Sequence, residues 1–253
     1  MPYGMYIAAT GAEAQNRILD VLANNLANID TPGFKHEIGI IQARHAEAIE
    51  RGEVPAGSRT INDVGGGVAL KETITDFSRG TLKPTGVKTD LAIADSDGNA
   101  FFVIERDGER LLTRAGNFRF SSSGQLQTQN GDAVLSTDGQ PVAINPALPF
   151  NFTADGGVQQ GDELFLLALE RPASFGDLAK AGTNLFKPLA DTVPLEEGER
   201  SVKTGFLEMS TVKPTQAMME LIKATRTFEA NIKMIQHQDQ MMGSLVNRVL
   251  RSS

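Results

Sequence analysis

Between Met218 and Val249 the chain carries a run of residues that leaves few folds open. Taking every third and fourth residue gives Met218, Leu221, Thr225, Phe228, Ile232, Ile235, Asp239, Met242, Val246 and Val249, and eight of these ten are apolar. Alternating steps of three and four put them on one narrow helix face, like the seam of a coiled coil. Lys223, Arg226, Glu229, Lys233, Gln236 and Gln240 fall between them and make a polar outer face. No glycine intervenes before Gly243 and no proline follows Pro214. A helix of about 36 residues is about 54 Å long at ~1.5 Å per residue, more than one face of a small core can cover. A seam this narrow and this long predicts a second helix beside it.

Residues 3 to 28 supply the candidate. Ile7, Gly11, Ala14, Ile18 and Val21 form one heptad seam, and Leu19, Leu22, Leu26 and Ile29 widen it on an adjacent face. Small residues (Ala8, Ala9, Gly11, Ala12, Ala14) fill the first half and let a partner approach closely. Gly4 and Gly11 each cost a helix about 1 kcal/mol relative to alanine, so this one depends on its partner. Its end is marked by Asn28-Ile29-Asp30-Thr31-Pro32-Gly33, where Pro32 disfavours the α region at Thr31 and Gly33 supplies a turn. Asn24, Asn25 and Asn28 cannot join a dry seam. They either fix register through amide hydrogen bonds, as a buried asparagine does in coiled coils, or are solvated near the helix end.

Charge narrows the partners. The formal net charge is −7, against general nucleic-acid binding. From Lys213 onward six basic residues face three acidic ones, so a mildly basic tail follows an acidic body. With no cysteine there is no disulfide framework, thiol nucleophile or cysteine metal site. Met1-Pro-Tyr-Gly-Met-Tyr-Ile7 shows no ordinary secretory signal, and no apolar run of about 18 residues is present to span a membrane.

The middle of the chain changes period. Ile38, Ile40 and Ile41 start a strand, Ala43 to Arg51 reads as short helix or coil, and Val68 to Phe77 as an extended arm. Gly65, Gly66 and Gly67 read as a hinge, since no Gly-Lys-Ser/Thr follows to make a phosphate cradle. Phe101 to Glu105 and Arg110 to Arg114, joined by Asp107-Gly108, predict a β-hairpin. Gly108, Gly116, Gly124, Gly131 and Gly139 then recur every seven or eight residues, the spacing of an all-β meander or irregular barrel. Glu163 to Glu170 reads as one buried strand and Leu178 to Pro194 as loop. The expected fold is therefore α+β, with N- and C-terminal helices paired as a coiled-coil-like hairpin. The expected divisions are an N-terminal helix (1–35), an extended linker with a glycine hinge (36–86), a β domain (87–209) and a C-terminal helix (210–253).

Three segments carry a resemblance. Asp20-Val-Leu-Ala-Asn24-Asn25-Leu-Ala-Asn28-Ile-Asp-Thr31-Pro32-Gly33-Phe34-Lys35 resembles the N-terminal signature of bacterial flagellar rod and hook proteins. Gly205-Phe-Leu-Glu208-Met-Ser210-Thr-Val212-Lys-Pro214, followed by Arg226-Thr-Phe228-Glu229-Ala-Asn231, is similar to their C-terminal pattern. Thr89 to Ile93, Phe101 to Val103 and Thr113 to Phe118 match the middle. Thr211 departs from the usual asparagine, and Ala94 to Phe102 makes a longer turn than the family's. The resemblance implies a structural subunit that polymerises through its terminal helices into the torque-transmitting shaft crossing the periplasm. Met5-Tyr6-Ile7 and Thr31 to Phe34 are most like proximal-rod members, with distal-rod or hook-type members as the alternative. It further implies other rod and hook proteins and copies of itself as partners, and the flagellar type III export apparatus as the route out, without a cleaved signal. No nucleic acid and no direct membrane insertion are implied. The subunit-packing residues would be Ile7, Gly11, Ala14, Ile18, Val21, Leu22, Asn24, Asn25, Leu26, Asn28, Thr31, Pro32, Gly33 and Phe34, with Met218, Leu221, Phe228, Ile232, Ile235, Met242, Val246 and Val249 opposite them.

Chemistry is sparse. Asp95-Ser-Asp97-Gly98-Asn99 lacks the closing glutamate of a calcium loop and reads as a turn. His36, His45 and His237 have no ligand-spaced neighbour, Ser121-Ser-Ser-Gly is a turn, and Glu196-Glu197 is a solvated pair. No enzyme, metal or cofactor is expected. The competing class is a soluble coiled-coil adaptor, distinguished by whether the chain polymerises with itself or only binds another protein.

Overall fold

The computed structural model describes residues 3–45, 49, 51–52, 65–95, 97–145 and 147–251, apart from the side chains of Glu197, Val249 and Arg251. The chain divides into two compact units. One comprises Met1–Ala27, Glu37–Thr75 and Lys213–Ser253; the other comprises Asn28–His36 and Asp76–Val212. The backbone therefore passes between them four times, at 27/28, 36/37, 75/76 and 212/213.

The helical unit holds α1 (Tyr3–Ala27), α2 (Pro214–Arg251) and an antiparallel ribbon of β1 (Glu37–Ala43) and β2 (Val68–Thr75). Pro214 opens α2 in the first turn, where its missing N–H costs nothing. The two helices pair, and the ribbon lies against α1. The inward row of α2 is Ala217, Leu221, Ala224, Phe228, Asn231, Ile235 and Gln238, each buried or half-buried. This row overlaps the expected seam. Leu221, Phe228 and Ile235 lie in both, Thr225 and Ile232 are half-buried at its edge, and Met218 and Asp239 are exposed, with Ala217, Ala224, Asn231 and Gln238 completing the row. The cause lies on α1. Its glycines leave room for amides, so that a Cβ on Gly11 would stand 3.2 Å from Asn231 Nδ2 and one on Gly4 2.5 Å from Gln238 Nε2. Both pairs sit in one antiparallel register, which brings Ile18 level with Ala224 and Asn25 level with Ala217. It also sets Tyr3 level with Asp239, so α2 runs on for about three turns beyond the described start of α1.

Hydrogen bonds hold the glycine segment in place. Gly66 donates to Arg44 O at 2.8 Å, Arg44 N donates to Gly67 O at 2.9 Å, and the Tyr3 hydroxyl donates to Gly65 O. Gly67, at φ 91°, lies so close to α1 that a Cβ would fall 2.0 Å from Thr10 Oγ1. Close approach is the reason for glycine here. The element expected over 43–51 falls partly outside the described residues.

The β unit is built from short antiparallel strands. Among them are β3 (Leu82–Pro84), β4 (Leu91–Ile93) and the hairpin of β5 (Phe101–Arg106) and β6 (Glu109–Thr113). Asp107 and Gly108 turn the hairpin, both with positive φ, as the Asp-Gly step predicts. The main sheet runs Leu178–Lys180, Leu185–Pro188, β6, β5, Ala133–Val134, Leu126–Gln127, Arg119–Phe120, and its order is open rather than closed into a barrel. Two expectations are corrected here. Residues 178–194 contribute three strands rather than a loop. The apolar run at 163–170 is two strands, Glu163–Leu166 paired with Gly157–Gln160 and Leu169–Pro172 paired with β5, because the chain changes partners at Leu167–Ala168. Period-two alternation on β5 feeds two cores. Phe102 and Ile104 join Leu91, Ile93, Leu126 and Val134 in one, while Phe101 and Val103 join Phe77, Leu112, Leu135 and Phe186 in the other.

Candidate functional site: a buried junction and an open helix face

Two features stand out, each within one unit. The first is in the β unit, where residues 33–36 run beside 208–211. Gly33 N donates to Glu208 O at 2.8 Å, Thr211 N to Phe34 O at 3.2 Å, and His36 N to Thr211 Oγ1 at 2.8 Å. A third segment closes the triangle. Asp76 N donates to His36 O at 2.8 Å, Met209 N to Thr81 O at 2.9 Å, and β3 pairs with Phe206–Glu208.

Lys35 lies in the middle with its side chain fully buried. Its ammonium donates to Ser78 O at 2.7 Å and Glu208 Oε1 at 2.8 Å, and reaches Phe77 O at 3.5 Å. Glu208 Oε1 also accepts from Gly80 N at 2.8 Å, while its Oε2 stands 3.7 Å from Arg114 Nη1. Arg114, also fully buried, grips Asp95 with two hydrogen bonds of 2.9 and 3.1 Å and lies 5.3 Å over the Phe101 ring. Two cations and two anions balance. Burial pushes the Lys35 ammonium below the ordinary lysine value, and Glu208 pulls it back up. Asp95, in the loop with a passing likeness to a calcium site, is thus spent on Arg114.

Glycines let the backbones meet here. A Cβ on Gly33, at φ 68°, would fall 2.3 Å from Ala115 N; one on Gly116 would fall 1.7 Å from Leu91 O; one on Gly80 would fall 2.0 Å from Met209 O. Thr31 bonds Asn28 Oδ1, and Asn184 Nδ2 donates to Pro32 O. Gly33 and Phe34 are buried within their own chain.

The second feature is the surface that α2 leaves open. Met218, Met219, Ile222, Met234, Met241, Leu245, Val246 and Leu250 are all more than half exposed, and Met242 is 41% exposed. On α1, Ile7 is 38% exposed, Ala14 and Leu22 are buried, Ile18, Val21 and Leu26 are half-buried, and Asn24 is exposed. Asn25 corrects an expectation. It is fully buried, with its Nδ2 donating to Glu37 O at 2.7 Å and its Oδ1 accepting from Glu37 N at 2.9 Å. Its amide serves as a peptide partner for the first residue of β1, so it is used inside its own subunit and not between subunits.

Lys35, Arg114 and Glu208 are the residues of this junction that sequence reasoning passed over; each lies in a segment that carries the resemblance, but nothing local marks its charge as buried.

Comparison with known proteins gives these segments a common class, that of flagellar rod and hook proteins. The family model for the flagellar basal-body rod protein matches residues 5–35, the flagellar hook protein FlgE/F/G D1 domain matches 96–160, and the C-terminal domain of FlgEFG rod proteins matches 203–248. Lys35, Arg114 and Glu208 come one from each. The chain is 30% identical to the flagellar basal-body rod protein FlgF of Caulobacter vibrioides over 98% of both chains. It is 31% identical to the rod protein FlgG of Bacillus subtilis over 96% of this chain and 97% of that one. It is also 32% identical to the hook-basal body complex protein FlhO of the same organism, covering 97% and 98%. The chain belongs to the flagellar basal-body rod protein family.

Proposed function

We propose that the protein is a structural subunit of the flagellar rod that polymerises by burying the open rows of α2 against neighbouring subunits. The observation that carries this reading is the last stretch of α2. Met241, Met242, Leu245 and Val246 run past the described start of α1, and each is 41–58% exposed. Covering a large apolar side chain stabilises by about 1.5–3 kcal/mol, so a handful per subunit offsets the ordering of a helix end that is weak alone. Neighbours would be copies of itself and other rod and hook proteins, in a shaft that transmits torque across the periplasm. Delivery would be through the flagellar export apparatus without a cleaved signal. Met5-Tyr6-Ile7 and Thr31 to Phe34 favour the proximal rod, and the position of tagged subunits in isolated basal bodies separates it from the distal rod. The test is Met241→Glu with Leu245→Glu. The variant should purify as a monomer with an unchanged thermal midpoint, yet fail to enter basal bodies and leave cells non-motile. Normal incorporation would overturn the reading.

A further inference from the structure

We propose that Lys35 is the linchpin of a three-way clasp that makes the docking of both end segments onto the β unit one cooperative event. Three stretches meet at its ammonium: 33–36 through the backbone of Lys35 itself, 76–80 through the carbonyls of Phe77 and Ser78, and 206–211 through Glu208. Backbone hydrogen bonds join 33–36 to each of the other two, and 76–80 meets 206–211 through Gly80 N–H on Glu208 Oε1 and, one residue on, Met209 N–H on Thr81 O. These are the stretches in which the chain arrives from or departs to the helical unit at 36/37, 75/76 and 212/213.

Half-docked states are penalised from either side. If 33–36 lifts away, Glu208 keeps Gly80 N–H and an arginine 3.7 Å off whose two closest bonds go to Asp95, and the carbonyls of Phe77 and Ser78 lose their donor. If 206–211 lifts away, the ammonium keeps only its carbonyl bonds and loses its ion-pair partner. A buried ion stripped of its partner is far costlier than the intact pair. All three stretches are therefore in place together or absent together. The clasp acts within the folded chain and stands apart from the way subunits pack.

Hydrogen exchange on the full chain tests it, read by mass spectrometry in two variants. Lys35→Met removes the ammonium. Thr211→Val keeps the volume and removes only the acceptor of His36 N–H. In Lys35→Met, exchange at 33–36, 76–80 and 206–211 should rise together by tenfold or more, while the β5–β6 hairpin keeps its protection. In Thr211→Val the same three stretches should rise by a smaller common factor, threefold or more. Should Lys35→Met fail to fold, Thr211→Val decides alone. A rise confined to 33–36 in either variant, or no rise in Thr211→Val, overturns the proposal.

Discussion

Lys35 and Glu208 form a buried ion pair whose net worth is small but whose disruption is expensive, because removing one partner leaves the other charged and dry. Lys35→Met and Glu208→Gln should each destabilise the protein by about 3–5 kcal/mol in urea titrations. The double variant, which leaves Arg114 balanced by Asp95, should cost less than the two singles combined by at least about 1 kcal/mol. A second residue reports through pH. Hydrogen bonds from Arg106 hold the Asp132 carboxyl below its ordinary value of 3.8, burial works against them, and Thr128 adds a further bond. A carboxylate with a depressed value adds stability above the unfolded value and loses it as pH falls through the folded one. Asp132→Asn should therefore flatten the acid side of the stability profile below pH 3.8, measured by thermal midpoint against pH. An unchanged slope would show that Asp132 contributes nothing to the acid side of the profile.

At the scale of elements, the periodic features were the legible ones. The long C-terminal helix, the N-terminal helix ending at the Asn28 to Gly33 turn, and the Asp107-Gly108 hairpin all follow from spacing and turn chemistry, which are local. The partner face of α2 was not legible, since apolar spacing selects the larger side chains and the real face is set by the glycines opposite. Gly65 to Gly67 were ambiguous for the same reason: glycine permits either flexibility or close approach, and the close approach of Gly67 to Thr10 was invisible in the sequence. Gly67→Ala would force a methyl group to within 2.0 Å of Thr10 Oγ1 at φ 91°. The ribbon should come away from α1, read as faster proteolysis within 37–43 and 68–75 with the β unit intact. Adding Thr10→Ala should recover part of the loss, since space is restored and the backbone strain remains.

For the whole molecule, the separation between what stabilises the subunit and what assembles it is the main prediction. The folded chain uses α2 as far as about Gln238 for its own pairing; Met218, Met219, Ile222 and Met234 are open beside that row, and Met241, Met242, Leu245 and Val246 are open beyond it. Ending the chain after Gln240 should change monomer stability by no more than about 0.5 kcal/mol while abolishing incorporation into basal bodies. A large loss of monomer stability would mean the tail is needed for the fold. The buried junction was illegible as a site even though its members lie in the signature segments, because Lys35 and Glu208 are 173 positions apart and nothing local marks a charge as buried. The facing of Gly4 with Gln238 and Gly11 with Asn231 reaches further. Sliding α2 by one heptad in one direction would drive Asn231 into Ile18; sliding it the other way would leave Gly11 facing Ala224 across a gap. The pair is toothed, with one mesh that fits, and a strut so keyed resists slippage when its ends are pulled against each other.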